Sequence, residues 1–423
     1  MPRRRHDPQR RDRIVDACLE VIATVGVAGT SHRKVAEAAD VPLGSMTYHF
    51  SGMDELLREA LSRFAQEVGD RFDQRMRRAR DRTQALDAVA RIITDDVFAA
   101  PRDLVLTHEL YTLAARDPSF RDITVAWMDR SRAALERHFD PLTARMVDAL
   151  IEGLTIHSAL DSDPKDQAEI REAALRITTL PPPSGALPVR TGALRDTAVD
   201  SGGDRGEPSA ARSGEEPGEP VPGPPAGGYD KGRQRRTQIL RAALKAFGTV
   251  GYHQASMVRI AADCGVSRAG LLHHFPTKES LLEAVLTERD RVNGDLFFAD
   301  QDPAHDGAEY FSRLVRLVEH NATDPGIVSL FAVLSTEAGN PAHPAHAYFR
   351  RRYENLCHDV RRALADLDRR GLVRPGVSVE GLEVELVALM DGLQVQWLLD
   401  PARVDMADRL RSRLRSVAEL PDP

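Results

Sequence analysis

At 423 residues the chain is too long for one hydrophobic core, and its 42% hydrophobic and 29% charged residues are the balance of an ordinary soluble protein of two or three domains. A net charge of −7 argues against a surface coated in positive charge for indiscriminate nucleic-acid binding, but leaves room for a local basic face. The three cysteines, Cys18, Cys264 and Cys357, form no close pair, which argues against a disulfide framework or a cysteine zinc site.

The N-terminus opens with Arg3, Arg4 and Arg5, and apolar residues follow from Ile14. Asp16 and Glu20 interrupt that run at helical spacing, so it reads as a helix behind a basic arm rather than a secretion signal. No stretch nears the ~18 apolar residues of a membrane span, and a cytoplasmic protein is expected. Ile14, Val15, Cys18, Leu19, Ile22 and Val25 form one face of this first helix, closed by Gly26. Ser31 then supplies an N-cap to a second helix carrying Val35, Ala36 and Ala39. A turn through Val41 and Pro42 leads into a short helix from Leu43 to His49, stopped at Phe50. Two short helices with small residues at Ala36, Ala39 and Gly44 can cross closely, as a helix-turn-helix requires. The exposed face of the last carries Ser45, Thr47, Tyr48 and His49.

Further helices follow to Leu180, with Pro101, Pro118 and Pro141 at segment starts. Leu142, Met146, Ala149, Leu150, Gly153, Leu154 and His157 make one apolar stripe. Residues 181–230 break the pattern: ten of the fifty are Pro and ten are Gly, a composition that reads as a disordered linker.

Beyond the linker the sequence repeats itself. Gln9 to Leu61 aligns without a gap 225 residues later, pairing Arg11 with Arg236, Gly26 with Gly251, Ser31 with Ser256 and Phe50 with Phe275. Basic arms precede both copies, Arg3 to Arg13 and Lys231 to Arg236, the sort of residues that meet phosphates, and the second copy's short helix, Arg268 to His274, exposes Gly270, Leu272, His273 and His274. Similarity returns near the end at an offset of 239, where Ala149 to Leu154 matches Ala388 to Leu393. Leu382, Leu386, Leu389, Met390, Leu393 and Trp397 repeat the apolar stripe, and Pro325, Pro344 and Pro401 mark helix starts. The expected architecture is all-α: domains at 8–68 and 69–180, a linker at 181–230, and domains at 231–293 and 294–420.

The run from Thr30 to Phe50, with Val35-Ala36, Val41-Pro42, Gly44-Ser45 and Tyr48-His49-Phe50, resembles the N-terminal domain of TetR-family repressors. Ser256 to Phe275, followed by Lys278 to Leu282, resembles it again. The resemblance implies contacts to double-stranded operator DNA from Ser31, Arg33, Lys34, Pro42, Leu43, Ser45, Thr47, Tyr48 and His49. In the second copy it implies Ser256, Arg259, Ser267, Arg268, Gly270, Leu272, His273, His274 and Lys278. Thr47 and Leu272 stand where the family usually has Tyr, Met53 where it has Lys, and Ala269 where it has Gly, so unequal half-sites are expected. Each C-terminal part is implied to bind a small effector and to dimerise. Candidate pocket residues are His108, Tyr111, Trp127 and His157, then Phe331, Glu337, Tyr353 and Trp397, although core or interface packing is the plainer reading of each.

An enzyme is disfavoured, because the sequence has no phosphate-binding Gly-rich loop, no G-x-S-x-G and no H-E-x-x-H. No cofactor and no metal are expected; His273-His274 and His343-x-x-His346 are poor chelates. The competing reading is a helical interaction scaffold in which one copy, more readily the second, has lost DNA binding. Two units in one chain also leave two assemblies open: an intrachain pseudo-dimer, or a homodimer with four reading heads.

Overall fold

The computed structural model describes residues 9–98, 101–160, 167–179 and 227–420; the arginines at 3–5 and the linker residues 181–226 lie outside them. Unit one is built from α1 (Arg10–Gly29), α2 (His32–Ala38), α3 (Gly44–His49), α4 (Met53–Arg78), α5 (Arg82–Arg91), α6 (Pro101–Arg116), α7 (Arg121–Leu135), α8 (Pro141–Leu160) and α9 (Gln167–Thr179). Unit two repeats the order with α10 (Gly227–Gln254), α11 (Met257–Asp263), α12 (Arg268–His274), α13 (Lys278–Asn293), α14 (Gly307–Ala322), α15 (Pro325–Glu337), α16 (His346–Arg369), α17 (Leu382–Leu399) and α18 (Met406–Val417). Among the described residues the one β pairing is an isolated bridge between Val373 and Ala418. The all-α expectation holds. α10, however, begins at Gly227, inside the stretch read as linker.

Local chemistry explains most helix limits. Asp81, Asp306 and Asp405 each accept a backbone N–H three residues ahead, and Asp324 accepts from Gly326 and Ile327 in front of α15. Thr277 and Ser280 form a reciprocal capping box at the start of α13. Pro101, Pro141 and Pro325 begin helices as their fixed φ favours. Pro344 and Pro401 do not: Pro344 lies in the turn ahead of α16, whose N-cap is Ala345, and Pro401 sits in the turn before α18, where Asp405 caps the helix. Gly26 and Gly251, with φ of 71° and 78°, end the regular part of α1 and α10, after which one more short turn follows.

The two units join through their late helices. α8 packs along α17 so closely that a Cβ on Gly153 would fall on the Ala388 carbonyl, and a Cβ on Gly392 on the Ala149 carbonyl. Only glycine permits this backbone-to-backbone crossing. The apolar surround includes Ala149, Leu150, Leu154, Leu386, Ala388, Leu389 and Leu393, each at most 3% exposed.

This interface also buries a polar network. Glu152 and Asp391 occupy equivalent repeat positions but serve different partners: the Tyr111 hydroxyl donates to Glu152 at 2.6 Å, whereas His157 meets Asp391 at 2.7 Å. Asp148 accepts from Arg132 at 3.1 Å in its own unit and from Gln396 at 3.0 Å across the interface. Burial pushes the Asp148 carboxyl up to about 6 and, helped by the Asp148 charge, Glu152 up to about 8.

Candidate nucleic-acid interface

Each helix-turn-helix is closed by the same small set of side chains. In unit one Val35, Ala36, Met46 and Phe50 are buried against α1, and Asp40 takes a left-handed φ of 50° at the turn. In unit two Ile260, Ala261, Leu271 and Phe275 do this, and Gly265 takes the left-handed position at φ 67°. Asp is among the few non-glycine residues that tolerate that conformation.

The face left outside carries the sequence-expected residues. Tyr48 is 82% exposed and Leu43 55% exposed, unusual for side chains of their size on a surface with no partner. Ser31, Arg33, Lys34, Pro42 and Thr47 are exposed, and Ser45 and His49 are half-buried. In unit two Ser256, Arg259, Ser267, Arg268 and His273 are exposed, with Gly270, Leu272, His274 and Lys278 half-buried. Arg33, Arg259 and Arg268 make no ion pair among the described residues, so their guanidinium groups are available to phosphate.

Some side chains are already occupied. Ser31 caps α2 by accepting from the Lys34 N–H at 3.4 Å, and Ser267 caps α12 by accepting from Gly270 at 3.0 Å. Lys34 donates its ammonium to the Gly29 carbonyl at 2.8 Å. Lys278 lies 4.5 Å over the Tyr252 ring, and burial lowers its pKa. The basic arms need a sharper correction. Arg11 lies 4.9 Å over Phe50 and pairs with Glu59, and Arg236 lies 4.6 Å over Phe275. These two arginines bind the first helix of each unit to the end of its recognition helix rather than reaching for phosphate.

Behind each reading head lies a contact that sequence reasoning missed. In unit one, Glu109 of α6 accepts the Val27 N–H at 2.8 Å, and a Cβ on Gly26 would lie 2.7 Å from the same carboxylate. In unit two α10 meets α15 directly, where a Cβ on Gly248 would lie 2.8 Å from the Gly326 carbonyl. A glutamate beside His108 and a glycine following Pro325 were the available signals, but neither reveals its partner.

The eight candidate pocket residues are spread through the cores and the interface. His108 is buried, its Nε2 has no hydrogen-bond partner among the described residues, and burial lowers its pKa to about 4. Tyr111 and His157 serve the carboxylates named above, and the Tyr353 ring packs against His157 with centroids 4.3 Å apart. Trp127 packs edge-on to Phe64; Phe331 lies under Arg289 at 4.1 Å; Glu337 lies 3.5 Å from His343; and Trp397 packs against the core of the late helices. None of the eight borders the large cavity of unit two, about 630 Å³ between α13, α14 and α16.

The model of bacterial regulatory proteins of the tetR family matches twice, at residues 14–60 and 239–285, and so covers both helix-turn-helix motifs. The chain belongs to the TetR family. Its C-terminal regions match two different family models: the tetracyclin-repressor-like C-terminal domain at 80–180 and the BetI-type transcriptional repressor C-terminal domain at 315–420. Among its relatives, the HTH-type transcriptional regulator BetI of Pseudomonas paraeruginosa is 30% identical over 190 residues, spanning 42% of this chain and 87% of the relative. BetI 2 of Chromohalobacter salexigens is 28% identical over 181 residues, spanning 41% of this chain and 82% of its own length. A crystal structure of a proposed transcriptional regulator from Streptomyces coelicolor A3(2) is 55% identical, spans 41% of this chain and 99% of that one, and has a TM-score of 0.39. Like its relatives, the chain is a DNA-binding transcriptional regulator. Among the described residues no helix is long and apolar enough to cross a membrane.

Proposed function

We propose that one chain acts as a complete pseudo-two-fold repressor that reads a single asymmetric operator and releases it when a small effector binds. The observation that carries this reading is the α8–α17 crossing, where Gly153 and Gly392 bring two non-identical units together backbone to backbone. A symmetric dimer presents the same recognition helix to each half-site; this chain presents Tyr48 in one and Leu272, His273 and Arg268 in the other. Two such helices in one dimer-like body engage half-sites about one DNA turn apart, roughly 34–36 Å. Release by an effector follows from linkage if the DNA-free form binds that effector more tightly than the DNA-bound form.

Hydroxyl-radical footprinting on a bound genomic fragment tests the reading. Two protected half-sites of different sequence, one turn apart and covered by one chain, are expected. A perfect palindrome covered by two chains would remove it.

A further inference from the structure

We propose that effector sensing is divided unequally between the units, and that the cavity of unit two takes a compact organic cation carrying N–H donors. This rests on the effector-responsive reading above and specifies where the effector binds and its class.

The two units differ first at α4 and α13. α4 runs unbroken to Arg78 and buries Phe72 and Met76 in its last turns. α13 stops at Asn293, passes through a π turn at Gly294–Phe298, and reaches a left-handed Asp300 at φ 59°. At the repeat offset, Gln301 stands where unit one has Met76. Diverting the chain opens about 630 Å³, within the roughly 300–1,000 Å³ of small-molecule sites. In unit one Phe72 and Met76 are buried at the end of α4, and the void bordering α4 there lies toward α6, where Arg71, Asp103 and Thr107 join Val68, Phe72 and Leu104, and holds about 40 Å³, little more than one water.

The charged groups of the larger cavity lean to the acidic side, and Asn293 and Asn355 add amides that can donate as well as accept. Its lining has three aspartates against two arginines, Asp290, Asp302 and Asp359 against Arg352 and Arg362. Both arginines are engaged: Arg352 pairs with Asp290, and Arg362 meets Asp302 at 2.7 Å. Asp359 has no hydrogen bond or ion pair among the described residues. Gln301 donates its Nε2 to the Asp306 carbonyl at 2.9 Å, which leaves its Oε1 buried and without a partner. A guest therefore meets two acceptors without a hydrogen-bond partner, the Gln301 Oε1 and Asp359 (the latter also within the field of Arg362), beside the rings of Phe298 and Tyr310, whose centroids are 5.4 Å apart. Ring faces and an unpaired carboxylate favour a cation. An anion would have to displace a carboxylate from an arginine first.

Calorimetry on the full chain with three isosteric probes tests this: 2-naphthylmethylamine, 2-naphthylmethanol and 2-naphthoate. One equivalent of the amine is expected, with the alcohol and the carboxylate weaker by about tenfold or more, the scale of one charge-assisted hydrogen bond. Asp359→Asn should weaken the amine by a similar factor, and Leu356→Trp, which fills the cavity, should abolish its binding; both variants should retain the parent helix content. Two equivalents per chain, preference for the carboxylate, an unchanged Asp359→Asn, or no amine binding at about 10 mM would each overturn the proposal. Operator binding by the same ligand-free samples separates the two levels: DNA binding without amine binding sinks this inference alone, and absence of DNA binding sinks the reading beneath it.

Discussion

Unit one and unit two keep the same reading head but support it differently. The arginine–phenylalanine stack, the left-handed turn residue and the buried pair ending each recognition helix recur at one offset. Behind the head the units part: α4 has 26 residues and α13 has 16, while α7 has 15 and α16 has 24. Local packing around a short motif restricts the sequence tightly, whereas the helices behind it need only bury an apolar face and offer a partner surface. Divergence has gone where the constraint is loosest, and the interface keeps both glycines because each faces a backbone.

Four sets of substitutions probe how equal the halves are. The largest effect is expected from Gly153→Val or Gly392→Val, since either side chain would collide with a carbonyl that cannot move without separating α8 from α17. Each should cost on the order of 3 kcal/mol or more, read as a lower denaturation midpoint and lost operator binding. Equal losses would show a symmetric seam; a harmless substitution at either glycine would deny the crossing.

Next comes the buried carboxylate of Glu152, raised by burial to about 8. A raised carboxylate favours folding while protonated, so its contribution is complete below the ordinary range near 4.3 and is lost as pH rises through about 8. Glu152→Gln should therefore stabilise the protein above pH 8, on the order of 1–3 kcal/mol, and leave it nearly unchanged at pH 5. A melting-temperature series against pH that stays parallel for the two proteins would contradict this.

Third, Tyr48→Ala should weaken one half-site by about 1–3 kcal/mol if Tyr48 contacts a base, and Arg268→Ala or His273→Ala should weaken the other. If neither unit-two change alters its footprint, unit two is a scaffold rather than a reader. The smallest effects belong to Arg11→Ala and Arg236→Ala, about 0.5–1 kcal/mol of stability each for a stack at a partly exposed site. Unlike a phosphate contact, loss of the stack should leave the salt slope of DNA binding unchanged.

The motif and the repeat were legible because each depends on residue types at fixed spacing. Candidate pocket residues were not, because an aromatic or histidine on an apolar stripe has the same pattern whether it lines a void or fills one. His157 and Tyr111 proved to serve interface carboxylates, and Tyr353 packs its ring against His157. The cavity itself comes from a helix ending at Asn293, where Gly294 is a weak signal and the space is created by distant α16. Arg11 and Arg236 looked like arm residues because nothing in a linear arginine cluster says which member folds back.

The central claim is that the two units of one chain pair with each other. Light scattering of the full chain at micromolar concentration, free and on a single operator fragment, tests it most directly. A mass near 46.7 kDa, and one chain per operator, is expected. A mass near twice that, or two chains on one operator, would contradict it.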